Sequence, residues 1–218
     1  MFIVIFFGGI KMKRFIFDLD GTLLTGDFTL EHDFFHSVYG KDSYKLSDNV
    51  VKYLDDYEKK HQKYNTEELS YHLSKECGLS VTPEIIDGWN EIVGFIPSVI
   101  EDGVVDILDY LKSKDYSLAV LTNWFGVAQR KRLERAGLLE YFDDIYTGDM
   151  VLKPHKDSYL CAKDRFSIDE CVLVGDNLLK DYIAPRSVGM HSIIYDKKDI
   201  QHKTVTKIKK MNEIKEKY

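Results

Sequence analysis

The chain reads as an α/β protein: a mostly parallel sheet flanked by helices, interrupted early by an inserted α-helical segment. Three observations predict this class. A short apolar run, Phe15-Ile16-Phe17, ends abruptly in Asp18-Leu19-Asp20-Gly21-Thr22. Helical periodicity then continues without a strand to about residue 96. From Asp102 onward helices alternate with short apolar runs, the pattern of parallel strands covered on both faces.

Taken in order, the first strand is the apolar run before Asp18. Helices follow near 28–38, 46–62, 66–77 and 83–94. Asn65 with Glu68 three residues on has the form of a capping box, Gly78 stops a helix, and Thr82-Pro83 places an N-cap before a proline at the first helical position. The alternating part predicts helix 102–113, strand 117–121, helix 126–136, a short strand 144–146, helix 156–165, strand 171–175, helix 178–187 and strand 191–195. In the tail from Lys203 to Tyr218, Val205, Ile208, Met211 and Ile214 recur every three residues, which predicts a short amphipathic helix packed on the core. The implied organisation is an extension over 1–11, a core built from 12–25 and 97–218, and a helical insert over 26–96.

Open α/β sheets bind ligands beyond the carboxyl ends of their strands. Four such ends carry polar groups: Asp18 and Asp20, Thr122-Asn123, Lys153-Pro154, and Gly175-Asp176. In extended chain, residues i and i+2 face the same way, so Asp18 and Asp20 can converge, with Gly21 allowing a sharp turn. Adjacent carboxylates repel, and a divalent cation relieves that repulsion; a dication beside a free carboxylate suits attack on a phosphate ester. Alone, the pentapeptide reads equally well as a strand followed by an Asp-Gly turn. Thr122-Asn123 alone could cap the next helix, and Lys153 alone could be a solvated loop cation.

Together and in this order, Asp-x-Asp-Gly-Thr, Thr122-Asn123, Lys153-Pro154 and Gly175-Asp176-Asn177-Leu178-Leu179-Lys180-Asp181 resemble the four motifs of the haloacid dehalogenase superfamily, across residues 13–196. The resemblance implies a Rossmann-like core with a small helical cap over the site. It implies Asp18 as nucleophile, forming an aspartyl phosphate, and Asp20 as the acid and then the base. It implies Mg²⁺ held by Asp18, the backbone carbonyl of Asp20 and Asp176. Lys153 would neutralise the transferring group, while Gly21, Thr122 and Asn123 would bind phosphate oxygens. Asp181 would orient Lys153 or hold a metal-bound water, or is a plain helix-surface acid. Dehalogenases of this pattern lack a carboxylate at the position of Asp20, since halide leaves unprotonated, so phosphate esters are favoured. Hydrolysis of a small phosphomonoester is the expected activity. A phosphomutase similar to β-phosphoglucomutase and a catalytically silent binding protein are the alternatives.

Composition narrows partners. The 218 residues carry a formal net charge of −6, which argues against nucleic-acid binding by bulk electrostatics. Cys77, Cys161 and Cys171 are scattered without metal spacing and read as buried small residues in a reducing compartment. The apolar start, Met1 to Ile10, is shorter than the roughly 20 residues of a membrane span, and its positive charges follow it rather than precede it, so a cytoplasmic chain is expected. Met12 reads as the natural start, with an extra strand or a sticky arm as alternatives for 1–11. Residues 26–100 contain seven lysines, fourteen acids and no arginine, which disfavours bidentate capture of a second anionic group on the substrate. His32 and His36 stand four apart but lack a third ligand and read as helix-surface residues; Trp89 and Phe95 read as core of the insert.

Overall fold

The computed structural model describes residues 12–197, 199 and 204–218; residues 1–11, read as an extension, lie outside the described residues. In chain order, β1 (Arg14–Phe17) and β2 (Leu24–Gly26) precede five helices, α1 (Thr29–Tyr39), α2 (Tyr44–Ser47), α3 (Val50–Glu58), α4 (Thr66–Cys77) and α5 (Pro83–Phe95), and then β3 (Ser98–Ile100). Alternation follows: α6 (Val104–Ser113), β4 (Ser117–Leu121), α7 (Gly126–Arg135), β5 (Asp144–Tyr146), α8 (Lys156–Ala162), β6 (Cys171–Gly175), a π-helical turn at Leu178–Ile183 continuing into α9 (Ala184–Ser187), β7 (His191–Tyr195) and β8 (Lys207–Ile208).

Six strands form one sheet in the order β5-β4-β1-β6-β7-β8, and every pairing is parallel. β1 is buried throughout because it lies at the centre, with Phe17 level with Val120 of β4 and Val174 of β6. The strand order reverses across β1, so the residues just past Phe17, Leu121 and Gly175 surround a topological switch point. Side-chain alternation divides the core. Phe15 and Phe17 join one cluster with Ile107, Leu111, Met211 and Ile214, whereas Ile16 joins Tyr159 and Leu173 on the opposite face.

Helices α1–α5 bury their own cluster, including Phe35, Tyr57, Leu73, Ile86 and Trp89, but the cluster also takes in Trp124, Phe125 and Leu152 from loops that follow sheet strands. Asn65 caps α4 as expected, accepting from Glu68 N at 3.0 Å, and Gly78 ends it at φ 70°.

Several expectations are corrected. Strands β2 and β3 were not expected; they pair antiparallel where the chain enters and leaves the insertion, and three residues each is too short for a periodic signal. The helix expected over 46–62 breaks at Asp48-Asn49, where Asn49 leaves the helical region at φ −123° before α3 begins at Val50. Thr82 makes no cap bond, its hydroxyl pairing with Glu84 instead. The tail packs as expected, with Ile208, Met211 and Ile214 buried, but Ile208 lies in β8 and only Met211–Glu216 is helical, with the three-residue period of a 3₁₀ helix. Cys161 and Phe95 are exposed rather than core, the Phe95 ring carrying Lys131 Nζ 3.4 Å from its centroid.

Two buried acids, Glu31 and Glu58, belong to the insertion. Glu31 on α1 accepts a hydrogen bond from Trp89 Nε1 at 2.7 Å. Burial raises its carboxyl pKa, the Trp89 bond and His32 oppose the rise, and Asp20 adds to it. A carboxyl with a raised folded pKa stabilises the fold below its ordinary value of 4.5 and loses that contribution as pH climbs through the raised value. Glu31→Gln keeps an acceptor for Trp89 without the charge. Its melting temperature should therefore exceed the parent's at neutral pH, and the two curves should meet on acidification; a constant difference across that range would contradict the buried charge.

Candidate active site

The strand ends gather around a cavity of about 180 Å³ lined by Asp18, Asp20, Thr122, Asn123, Lys153, Asp176, Asn177, Lys180 and Asp181. A larger hollow, about 620 Å³, opens beside Met12, Lys13 and Ser117 at the amino ends of the strands, where α/β sheets do not place ligands.

At the centre is a buried ammonium. Lys153 Nζ donates to Asp18 Oδ1 and to Asp181 Oδ1, both at 2.7 Å. Burial alone would lower the Lys153 pKa, but Asp18 and Asp181 hold it above the usual lysine range. Burial pushes Asp18 up to about 7, against the pull of Lys153 and with Asp181 and Asp20 adding to the rise. Asp181 also accepts from Asn177 N at 3.0 Å, so each of its oxygens has a partner. The π-helical turn carries Asp181 inward, and Gly175 makes room for it, since a Cβ there would lie 2.3 Å from Asp181 Cγ.

The loop after β4 is tied to Lys153. Asn123 Nδ2 donates to Lys153 O, and Lys153 N donates to Asn123 Oδ1, both at 3.0 Å. The Thr122 hydroxyl donates to Asn123 O and accepts from Gln129 Nε2. Gly21 contributes differently than expected. Its N–H donates to Leu24 O at 2.8 Å instead of facing the cavity, and its φ of 79° and bare Cα let Asp176 approach: a Cβ there would lie 2.9 Å from Asp176 Oδ2.

Sequence reasoning missed three residues. Gln129 Nε2 reaches Asp20 Oδ2 at 3.2 Å, and Arg132 Nη2 lies 2.7 Å from Asp20 Oδ1. Both project from α7 three positions apart, the only available signal, and three other basic residues on that helix obscured it. Lys180 lines the cavity while its Nζ pairs with Asp55 at 2.7 Å and with Glu58 at 2.5 Å, both on α3. The loop after α3 is further joined to the core by Tyr64 N donating to Gly148 O, Leu152 N donating to Gln62 O, and His155 Nε2 against Glu58 O at 2.6 Å. His155, which stands next to the Lys-Pro pair in sequence, thus holds the insertion.

Oxygens of Asp18, Asp176 and Asp181 lie within 4.8 Å of one another. Hard carboxylate oxygens beside a buried lysine can hold an oxygen-loving dication together with a phosphoryl group. A family model described as haloacid dehalogenase-like hydrolase matches residues 15–195. The chain belongs to this family. Within it, the chain is 37% identical over 101 residues to a Dickeya dadantii protein named Probable phosphatase IndB, an alignment covering 44% of each. It is 27% identical over 107 residues to the pyrimidine 5'-nucleotidase PynA of Streptococcus pneumoniae, covering 47% of this chain and 45% of that one. The alignments thus span less than half the length of these relatives. The HAD-hydrolase family protein YfnB of Bacillus subtilis, solved bound to magnesium, shares the fold with a TM-score of 0.69 at 18% identity, over 94% of this chain and 98% of that one. Among the described residues, no helix is long and apolar enough to cross a membrane.

The Gly175 contact is testable in this haloacid dehalogenase-like chain without an activity assay. Gly175→Ala should drive Asp181 from Lys153 and destabilise the fold by about 3 kcal/mol, the scale of breaking a buried ion pair. Denaturant unfolding measures this, and an unchanged midpoint would show that Asp181 does not occupy the space above Gly175.

Proposed function

We propose that the protein is a magnesium-dependent phosphatase that hydrolyses a small phosphomonoester through an aspartyl phosphate on Asp18. The observation that carries the reading is the Lys153 ammonium shared between Asp18 and Asp181 at the end of the central strand, beside Asp176. Relatives named as phosphatase and nucleotidase support it.

In this reading an Asp18 oxygen attacks phosphorus in line with the ester bond, and the leaving alkoxide takes a proton from Asp20. Asp20 then removes a proton from the water that attacks the phosphorus of the aspartyl phosphate, which releases inorganic phosphate and restores Asp18. Lys153 balances charge on the nucleophile and the transferring group, and Asp181 holds Lys153 in place. Thr122 and Asn123 shape the phosphate side of the cavity. The cluster of Asp18, Asp176 and Asp181 fits an oxygen-loving dication such as magnesium; Asp18, Asp176 and the backbone carbonyl of Asp20 would hold it, and when bound it would supply positive charge to the phosphoryl oxygens. That charge would also favour the ionised form of Asp18, whose carboxyl burial pushes up to about 7.

We assign residues 12–25 and 97–218 to the catalytic unit and 26–96 to a cap, with β2 and β3 at the junction. Both lysines lining the cavity are already paired with carboxylates. A singly phosphorylated substrate with a small, uncharged remainder suits that balance and the 180 Å³ volume.

Phosphate release from a panel of sugar phosphates, nucleotides and small metabolites tests the reading. Turnover should require Mg²⁺ and stop on chelation, and Asp18→Asn should lower kcat by about 10³-fold or more without loss of folding. Isomerised sugar phosphate without phosphate release would replace hydrolysis by mutase chemistry, and retained Asp18→Asn activity would remove the assigned nucleophile. Independently of turnover, Mg²⁺ should raise the melting temperature of the parent but not of Asp176→Ala. Equal shifts in both proteins would place the ion elsewhere.

A further inference from the structure

Arg132 is an unusual residue to find inside this molecule. It is buried on α7 and sits against the β2–β3 junction: its Nε and Nη2 lie 3.4 Å from Ser98 Oγ, its guanidinium is 5.8 Å from the Phe28 ring centroid, and a Cβ at Gly26 would come within 3.0 Å of Nη2. A buried guanidinium needs a counter-charge. Among the described residues, Asp20 is the carboxylate that pairs with it, at 2.7 Å. Arg132 Nη1 also donates to Gln129 Oε1 at 3.1 Å, which fixes the direction of the Gln129 amide. Gln129 Nε2 is thereby turned towards Asp20 Oδ2 at 3.2 Å, Thr122 Oγ1 at 2.9 Å and Asn123 O at 3.0 Å.

We propose that Arg132 and Gln129 are positioning residues that hold the Asp20 carboxylate in the orientation needed for proton transfer, and tie that orientation to the Thr122-Asn123 loop. The inference rests on the hydrolytic reading above. One oxygen of Asp20 faces a fixed cation and the other a fixed amide, so carboxylate rotation is restrained from both sides. A side chain that both gives and takes a proton within one cycle gains from such restraint, because each transfer demands hydrogen-bond distance to a different oxygen of the reacting species. Neither Arg132 nor Gln129 lines the cavity.

The test uses the full chain with Mg²⁺ and two esters, glycerol phosphate and para-nitrophenyl phosphate. An alkoxide needs a proton to leave; para-nitrophenolate leaves without one. Hydrolysis of the aspartyl phosphate needs Asp20 as base with either ester. Arg132→Gln should therefore lower kcat for glycerol phosphate about 10- to 100-fold with KM within about threefold of the parent. With para-nitrophenyl phosphate it should keep a rapid first-turnover burst of phenolate followed by a slowed steady state. A purely structural role predicts that burst and steady state fall together, and that result, an unchanged kcat, or a loss confined to KM overturns the inference. Should Arg132→Gln fail to fold, Arg132→Lys and Gln129→Met carry the same comparison, with the same burst and slowed steady state expected. A parent chain showing neither turnover nor burst removes the hydrolytic reading and this inference with it. A parent that turns over beside variants with unaltered kinetics removes only the inference.

Discussion

The Lys153 ammonium between Asp18 and Asp181 is the constraint around which the rest of the molecule is arranged. An isolated buried ammonium would carry a penalty of several kcal/mol, and two carboxylates at 2.7 Å offset it only while both are held in place. Each partner comes from a different part of the sheet: Asp18 from the end of β1, Asp181 from the π-helical turn after β6, and Lys153 from the long loop after β5. The ammonium therefore joins three strand ends across the switch point. A displacement of any one of them leaves a buried charge unpaired. This explains why Asn123 grips both backbone polar groups of Lys153, and why Gly175 stands where any side chain would collide with Asp181.

The two aspartates of the first motif lie in contrasting surroundings. Asp18 is almost fully buried, with its carboxyl pushed up to about 7, and its counter-charge is shared with Asp181. Asp20 is part-exposed towards the cavity and faces Arg132 and Gln129 on its other side. Separate roles for adjacent carboxylates depend on separate environments. Here the separation follows from a single turn of backbone, in which Gly21 at φ 79° swings the chain so that Asp20 bridges to Leu24 rather than continuing β1.

Much of this was legible in the sequence because strand ends are punctuated. Apolar runs stop at Asp18, Thr122 and Asp176, and because the three strands run parallel, their carboxyl ends carry those residues to the same edge of the sheet. Order along the chain then fixed the fold class and brought Asp18, Lys153 and Asp176 into one cavity. Other features left no local mark. The β2–β3 pairing depends on two three-residue segments separated by the whole insertion. The inward turn of Arg132 depends on the space left by Gly26 and on the position of Asp20, neither of which is a property of α7. Lys180 reads as a surface lysine until α3 brings Asp55 and Glu58 over it.

The insertion and the site are less separable than a boundary in sequence suggests. Thr122-Asn123-Trp124-Phe125 is one continuous segment with two faces: its first two residues line the cavity, and its last two enter the hydrophobic cluster of the helical insertion. Trp124 makes the change of direction at φ 87°, a left-handed conformation that a tryptophan adopts only under compulsion. The compulsion is visible in its packing against Trp89 at 4.4 Å, Tyr64 at 5.5 Å and Phe125 at 5.3 Å, and in the bond from Gly148 N to its carbonyl at 2.6 Å. Aromatic burial in the insertion thus stabilises a strained backbone whose next neighbours hold Lys153 and face the cavity. Removing the helices from this surface would release Trp124, and the Asn123 clamp on Lys153 would lose the geometry that keeps the central ammonium between its two acids.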